Sequence, residues 1–143
     1  MGARRQGRIL AFQSLYRYDL SRSPLEEILD FSWLTGERME KLSDEITLFA
    51  RLLIQGSIEK IADIDALIKQ FLENWDFDRL AAVDRAILRM SVYCLLFQKD
   101  IPFSVTIDEA VMIAKDFGSP DSYKFINGVL DAIAKKHLHS GSV

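Results

Sequence analysis

The sequence contains little cysteine, proline or glycine: one cysteine, three prolines and seven glycines in 143 residues. With Cys94 alone, no intrachain disulfide can form, and this cysteine usage is typical of a reducing cytoplasm. Turn-forming residues are sparse and no stretch has low complexity. The composition therefore favours helices joined by short connections over a β-sandwich or a disordered chain.

Long apolar runs are also missing. The arginines near the N-terminus are not followed by an apolar stretch of the length that a secretory signal needs. The most apolar segment, residues 79–97, is interrupted by Arg85 and Arg89. It is too short and too charged to span a bilayer. We therefore expect a soluble, cytoplasmic protein without membrane association.

The patterns of catalytic and metal sites are absent from the sequence. Both histidines, His137 and His139, fall in the polar C-terminal tail, so no Ser-His or Cys-His pair is available for nucleophilic catalysis. There is no glycine-rich phosphate loop and no Cys-x-x-Cys motif. We expect a protein that is not an enzyme and holds neither a cofactor nor a metal.

Segment 79–97 is the most informative feature that is present. It is apolar on nearly every side of a helix, so other helices are expected to surround it. Asp84, Arg85 and Arg89 nevertheless lie within it. An unpaired charge in a dry interior costs several kcal/mol (order of magnitude). These charges therefore either pair with neighbouring helices or mark where the segment reaches the surface.

Elsewhere, apolar residues recur at spacings of three and four, and no segment alternates with period two. The sequence predicts an all-α bundle of six to seven helices. We expect an N-terminal subdomain of about residues 1–73 and a C-terminal subdomain of about residues 74–137. Residues 43–72 form either one helix, kinked at Gly56, or two helices.

Helix starts are indicated by hydroxyl residues followed by acids. Ser43, with Asp44 and Glu45 behind it, has the pattern of an N-cap and a first turn that complements the helix dipole. Thr106 and Glu109 have the spacing of a capping box, which predicts a helix that begins at Thr106.

Positive charge is concentrated at the N-terminus. Arg4, Arg5 and Arg8 begin a segment in which Asp19 is the sole acid before residue 23, whereas the middle of the chain is acidic. Such arginines can neutralise phosphates, which suggests a polyanion as partner. The alternative is ordinary solubilising charge, and the arginines alone favour it.

The last helix carries Phe125 on the flank of its apolar stripe. Lys124 is adjacent, and Asp121 and Gly128 share the flank at i−4 and i+3. An aromatic ring in this position can stack on an unpaired base of single-stranded RNA. The alternative is an edge-of-core phenylalanine, an acid favoured by the helix dipole and a glycine that lets a neighbouring helix approach.

Four sequence blocks stand out in chain order: AFQSLYRYDLS at 11–21, VDRAILRMSVYCLLF at 83–97, IPFSVTIDEAVMIAKDFG at 101–118 and SYKFINGVLDAIAK at 122–135. Together with the arginine-bearing start, they resemble the NusB family of bacterial antitermination factors. The resemblance covers nearly the whole chain, and the last two blocks are specific for this family. Residues 22–75 match mainly in pattern.

The resemblance implies a compact helical fold of two subdomains and an RNA-binding function. The implied target is the boxA element of nascent ribosomal RNA transcripts. The implied partners are NusE, a small ribosomal protein, and a complex of RNA polymerase and other Nus factors in which premature termination is avoided.

The resemblance also implies roles for nine residues. The arginine-rich RNA-binding start corresponds to Arg4, Arg5 and Arg8, although Gln6 and Gly7 interrupt it here. The second RNA-contacting region corresponds to Asp121, Lys124 and Phe125. The NusE-facing surface corresponds to Tyr16, Asp78 and Asp84.

Three alternatives remain open at this point. Asp84 could be the internal partner of an arginine instead of a NusE contact. The chain could be a scaffold that binds proteins alone. It also resembles the RNA-binding module of a ribosomal RNA cytosine methyltransferase, although the chain contains no cofactor domain.

Overall fold

The computed structural model describes residues 2–73 and 76–138, and every regular element within them is helical. These residues form eight α-helices with the following bounds: α1 Ala3–Ser21, α2 Leu25–Leu29, α3 Gly36–Glu40, α4 Asp44–Glu59, α5 Ile61–Gln70, α6 Ala82–Phe97, α7 Phe103–Phe117 and α8 Ser122–Ala132. A 3-10 turn, Phe77–Arg79, precedes α6, and a π-helical segment, Ile133–Leu138, follows α8. The all-α prediction is confirmed.

The predicted number of six to seven helices is too low, because the short helix α3 has no apolar periodicity of its own. It is capped by Thr35, whose Oγ1 accepts a hydrogen bond from the backbone N–H of Arg38 (3.4 Å). Five residues are too few for a helical repeat to be visible in the sequence. The N-cap residue Thr35 is therefore the feature of the sequence that could have predicted this helix.

Residues 43–72 contain two helices, α4 and α5, and the break lies at Lys60, not at Gly56. Ser43 caps α4 as predicted, since its Oγ accepts from the N–H of Ile46 (3.3 Å). Gly56 serves close packing: a Cβ built there would lie 2.1 Å from Cζ of Tyr93 on α6. The glycine therefore lets α4 and α6 approach each other without bending α4.

Helix α6 is the centre of the bundle, as its apolar sequence predicts. It packs against α1, α4, α5, α7 and α8. Helix α1 in turn packs against both α4 and α6, and the buried apolar residues of all these helices form one core cluster. The predicted boundary between subdomains lies next to residues 74–75, which are outside the described residues.

Helix α7 begins earlier than the capping-box pattern predicted. It starts at Phe103 behind Pro102, so Thr106 is a buried residue of its first turns. Proline fixes its own φ and disfavours helix in the residue before it, which sets the boundary here. Glu109 is consequently free of a capping role and contacts α1.

Among residues 2–73 and 76–138, no helix is long and apolar enough to cross a membrane.

Candidate nucleic-acid interface

The three N-terminal arginines lie on the first turns of α1 and differ in their surroundings. Arg5 Nε and Arg8 Nη1 bind the two carboxylate oxygens of Glu109 on α7, at 3.1 and 3.2 Å. The side chain of Arg5 is 44% exposed and that of Arg8 is 7% exposed. Arg4 is exposed and has no such acid partner among the ion pairs of the described residues. The cluster therefore presents Arg4 and Arg5 to solvent and keeps Arg8 inside.

Phe49 on α4 lies beneath two of these arginines. The guanidinium carbons of Arg4 and Arg8 are 5.9 and 5.5 Å from its ring centre, within cation–π range. Gly7 makes this arrangement possible, because a Cβ there would lie 2.7 Å from Cδ2 of Phe49. The glycine that interrupts the arginine run thus serves the packing of α1 on α4.

An open cleft of about 470 Å³ runs beside the arginine cluster. Its walls combine Arg4, Arg5 and Arg8 with Asp100, Pro102 and Glu109. The positive charge of the cleft is therefore partly neutralised by acids from α7 and the loop before it. A phosphate here would meet Arg4 and Arg5 more readily than Arg8.

The second predicted RNA region lies at the start of α8. Asp121 is the N-cap residue and is exposed, Lys124 is exposed, and Phe125 is half-buried against the core. Lys124 Nζ lies 5.8 Å from the ring centre of Tyr123. These residues are together as predicted, on the first turn and a half of one helix.

Two cavities adjoin Phe125. One, of about 350 Å³, has Phe71, Lys124 and Gly128 in its walls. The other, of about 240 Å³, lies between the 3-10 turn, the start of α6 and the start of α8, and contains Asp84 and Asp121. The ring of Phe125 therefore borders space on two sides of α8.

The structure groups Asp84 with Asp121 and Phe125. Asp84 is 9% exposed, and its Oδ1 is buried without a hydrogen-bond partner. Burial raises the pKa of this carboxyl, while a hydrogen bond with the Ser122 side chain partly offsets that rise. The interpretation of Asp84 as the internal partner of an arginine is wrong, because Arg85 and Arg89 bind other acids.

Those acids form a buried ion network that sequence reasoning missed. Arg85 Nη2 and Nε bind Oδ2 of Asp19 on α1 at 2.7 and 2.9 Å. Arg89 binds Asp65 on α5 with two parallel bonds, Nε–Oδ1 2.9 Å and Nη2–Oδ2 2.8 Å, and reaches Asp19 Oδ1 at 3.3 Å. The arginines of the central helix therefore pair with acids on neighbouring helices, which is the first of the two outcomes predicted from the sequence.

The network raises the pKa of Arg89. Burial alone would lower it, but the hydrogen bond and charge of Asp65, together with Asp19, outweigh burial. Arg85 also donates from Nη1 to the carbonyl oxygens of Phe77 (3.4 Å) and Leu80 (3.2 Å). It thereby joins α1 to the 3-10 turn that carries Asp78.

Asp65 has the sequence surroundings of an ordinary helix-surface acid, yet it binds the buried Arg89. The unpaired arginines within the apolar segment signalled that acids must lie opposite them. The sequence did not indicate which acids, since partners 24 and 66 residues away carry no local pattern.

Two residues of the predicted NusE-facing surface are accessible. Tyr16 is 36% exposed on α1 and lines a cleft of about 530 Å³ with Leu20, Trp33 and Arg38. Asp78 is exposed in the 3-10 turn, and its backbone N–H donates to Oδ1 of Asp76 (3.2 Å). Asp84 is separated from this cleft, in the cavity beside Phe125.

The part of the chain that the structure describes contains no candidate metal site, and its cysteine, Cys94, is buried. Among residues 2–73 and 76–138, no group of three or more His, Cys, Asp and Glu could hold a metal ion. His139 lies outside the described residues. Burial raises the pKa of Cys94 to about 12, so its thiol stays protonated.

A helical bundle with exposed arginines at one helix start and a half-buried aromatic ring beside two cavities has features typical of a helical RNA-binding module. A family model described as the NusB family matches residues 5–135. The chain belongs to the NusB family.

Close relatives are similar along almost their whole length. The transcription antitermination protein NusB of Treponema denticola is 49% identical over 133 residues, or 93% of this chain and 96% of the relative. The protein of that name from Treponema pallidum (strain Nichols) is 52% identical over 132 residues, or 92% of each chain.

Two solved structures share the fold. NusB of T. maritima is 44% identical, with a TM-score of 0.83 over 94% of this chain and 92% of that one. A chain from the crystal structure of antitermination factors NusB and NusE in complex with dsRNA is 30% identical, with a TM-score of 0.84. The match covers 96% of this chain and 99% of that one.

Proposed function

We propose that this protein is an RNA-binding transcription antitermination factor that is not an enzyme. It binds the boxA element of nascent ribosomal RNA transcripts together with NusE, in the cytoplasm, as part of a complex with RNA polymerase and other Nus factors. The observation that carries this proposal is the match in fold, along 96% of the chain, to a structure of antitermination factors NusB and NusE with RNA.

The proposed RNA surface combines electrostatic and stacking contacts. Arg4, Arg5 and Lys124 are exposed cations that contact phosphates. Arg8, held by Glu109 and Phe49, contributes by orienting the start of α1 more than by meeting a phosphate directly. Phe125 contacts a base, because a half-buried ring beside a cavity loses little side-chain freedom on binding.

The proposed protein surface lies around Tyr16 and Asp78. An exposed tyrosine supplies apolar area with a polar tip, and an exposed acid suits a basic ribosomal protein. The buried pair of Asp19 and Arg85 connects the helix of Tyr16 to the turn of Asp78. This connection supports one continuous docking face for NusE.

We also propose that residues 1–73 and 74–137 act as two subdomains. The first carries the arginine cluster and the second carries Phe125. Glu109, which binds two of the arginines, and Gly118, the C-cap residue of α7 shortly before α8, are nine residues apart, or about 14 Å at ~1.5 Å per residue. One RNA strand that contacts both regions would therefore cover the flank of α7.

The test is a titration of fluorescently labelled boxA RNA and a scrambled RNA, each with the protein alone and with NusE added. We expect boxA to be preferred and NusE to tighten its binding. Absence of binding to both RNAs, with and without NusE, would favour a scaffold that binds proteins alone.

A further inference from the structure

Glu109 of α7 bridges two arginines of α1 that differ in exposure. Its Oε1 accepts a hydrogen bond from Nη1 of Arg8 at 3.2 Å, and its Oε2 accepts one from Nε of Arg5 at 3.1 Å. The carboxylate lies between the buried Arg8 and the exposed Arg5. Each oxygen therefore holds one arginine, and Glu109 is the fixed point from which Arg5 extends into solvent.

Glu109 is itself held in place from the protein interior. The guanidinium of Arg8 lies 5.5 Å from the ring centre of Phe49 and is almost fully buried. A binding group is precise when the residues behind it are locked by packing and by hydrogen bonds of their own. Support of this kind runs here from Phe49 through Arg8 and Glu109 to Arg5.

Arg5 uses its Nε in this contact and keeps its terminal nitrogens available. Among the hydrogen bonds within residues 2–73 and 76–138, none uses Nη1 or Nη2 of Arg5. A guanidinium that is bonded at Nε still presents these two nitrogens as a planar fork, which matches two oxygens of a phosphate. Since Arg5 lines the open cleft of about 470 Å³, a phosphate can reach this fork.

Arg4 provides a comparison within the same surface. It precedes Arg5, is also exposed and lines the same cleft. In the part of the chain that the structure describes, its guanidinium lies over the Phe49 ring, but no ion pair fixes the direction of its N–H groups. Ordering a long side chain on a ligand costs conformational entropy, and Arg5 has lost part of that freedom already on folding.

We propose that Glu109 is a positioning residue for RNA binding: it holds Arg5 so that Nη1 and Nη2 donate together to one RNA phosphate, while Arg4 attracts phosphate by charge alone. This inference rests on the proposed RNA-binding function and deepens it. It gives an acid a favourable role within a surface that binds a polyanion.

Exchange of arginine for lysine tests this role, because lysine keeps the charge and lacks the fork. Binding of labelled boxA RNA is measured for Arg5→Lys and Arg4→Lys, each in the wild-type protein and with Glu109→Gln added. The direct repulsion between Glu109 and RNA cancels in this double-mutant cycle, since it acts on arginine and lysine proteins alike. Asp108→Asn is the matched control, because Asp108 is the exposed neighbour of Glu109 in α7 and its substitution changes the charge equally.

We expect Arg5→Lys to weaken boxA binding by the wild-type protein about tenfold, the scale of one charge-assisted hydrogen bond. With Glu109→Gln present, the same exchange should cost at most about twofold, because glutamine has one acceptor oxygen for two arginines and the buried Arg8 competes for it. With Asp108→Asn present, it should still cost the full factor. Arg4→Lys should change the affinity by less than about twofold with or without Glu109→Gln. Helical circular dichroism of each variant establishes that it is folded.

Two results would overturn the inference while leaving the proposed function in place. One is a cost of Arg5→Lys that is the same with and without Glu109→Gln, in a protein that prefers boxA to the scrambled RNA. The other is an equal cost of Arg5→Lys and Arg4→Lys in the wild-type protein, since the arginine without an acid partner would then be as directional as the held one. If wild-type protein does not prefer boxA, the proposed function itself fails.

Discussion

Helix α6 carries two charged regions within six residues, and they differ in how their charges are satisfied. Arg85 and Arg89 make near-ideal bonds to Asp19 and Asp65, and the partners lie on two other helices. Asp84, one residue before Arg85, retains an unpartnered buried oxygen beside a cavity. The closed network therefore holds the helices together, whereas the unpartnered oxygen of Asp84 is a local cost to stability.

The largest effect is expected from opening the closed network. Arg89→Ala leaves Asp19 with one arginine and Asp65 with none, so the free energy of unfolding should fall by about 2–4 kcal/mol. This loss is at the low end of what breaking a buried ion pair costs, because the side chains of Asp19 and Asp65 remain 14% and 18% exposed. Urea unfolding measures it, with Arg79→Ala, which is outside the network, as a control expected to change stability little.

A loss near 3 kcal/mol for Arg79→Ala as well would contradict the assignment of stability to the network.

The second largest effect is expected for RNA binding, from the ring of Phe125. Phe125→Ala should weaken boxA binding about tenfold, because stacking on one base contributes about 1–3 kcal/mol. The helical fold should be retained, since the ring is only half-buried. Fluorescence titration measures the affinity. Phe97→Ala is the control, since that ring is 48% exposed at the far end of α6; an equal loss there would point to a general effect on folding.

Asp84→Asn should stabilise the protein by about 1 kcal/mol at neutral pH, because it removes a partly unpaired buried charge. Burial raises the pKa of Asp84 in the folded state, so the folded protein binds more protons than the unfolded chain between the two pKa values. Wild-type stability therefore falls as the pH rises through that window. The Tm advantage of the variant should shrink as the pH is lowered, which calorimetry at several pH values measures.

The charged groups that share the cavity with Asp84 are Arg79 and Asp121. A Tm difference that stays constant from neutral to acidic pH would contradict a raised pKa for this carboxyl.

The smallest effect separates exposed from engaged arginines at the start of α1. Arg4→Ala should reduce the slope of log affinity against log salt by about 0.7, the value for one phosphate contact with a single strand. Arg8→Ala should reduce it less, because Glu109 already neutralises Arg8. Affinities at four salt concentrations measure the slope, and identical slopes for both variants would contradict the difference between the arginines.

Glu109→Gln sharpens the same comparison. It releases Arg5 and Arg8 from their acid, so the salt slope should become steeper than that of wild type.

Local patterns predicted several features well. The apolar spacing of residues 79–97 indicated a surrounded helix, and α6 packs against five other helices. Ser43 was correctly predicted as a cap. Thr106 and Glu109 were misassigned, because a capping-box spacing also occurs by chance within a helix that a proline has already started.

The sequence by itself determined that the chain is all helical and belongs to the NusB family, since periodicity and contiguous motifs are local properties. Only the tertiary structure decided which charges meet. Glu109 binds Arg5 from 104 residues away, and Asp84 is left without a partner for one oxygen although Arg85 follows it directly. The reason is geometric: adjacent residues on a helix point about 100° apart, so pairing depends on how helices pack and not on proximity in the chain.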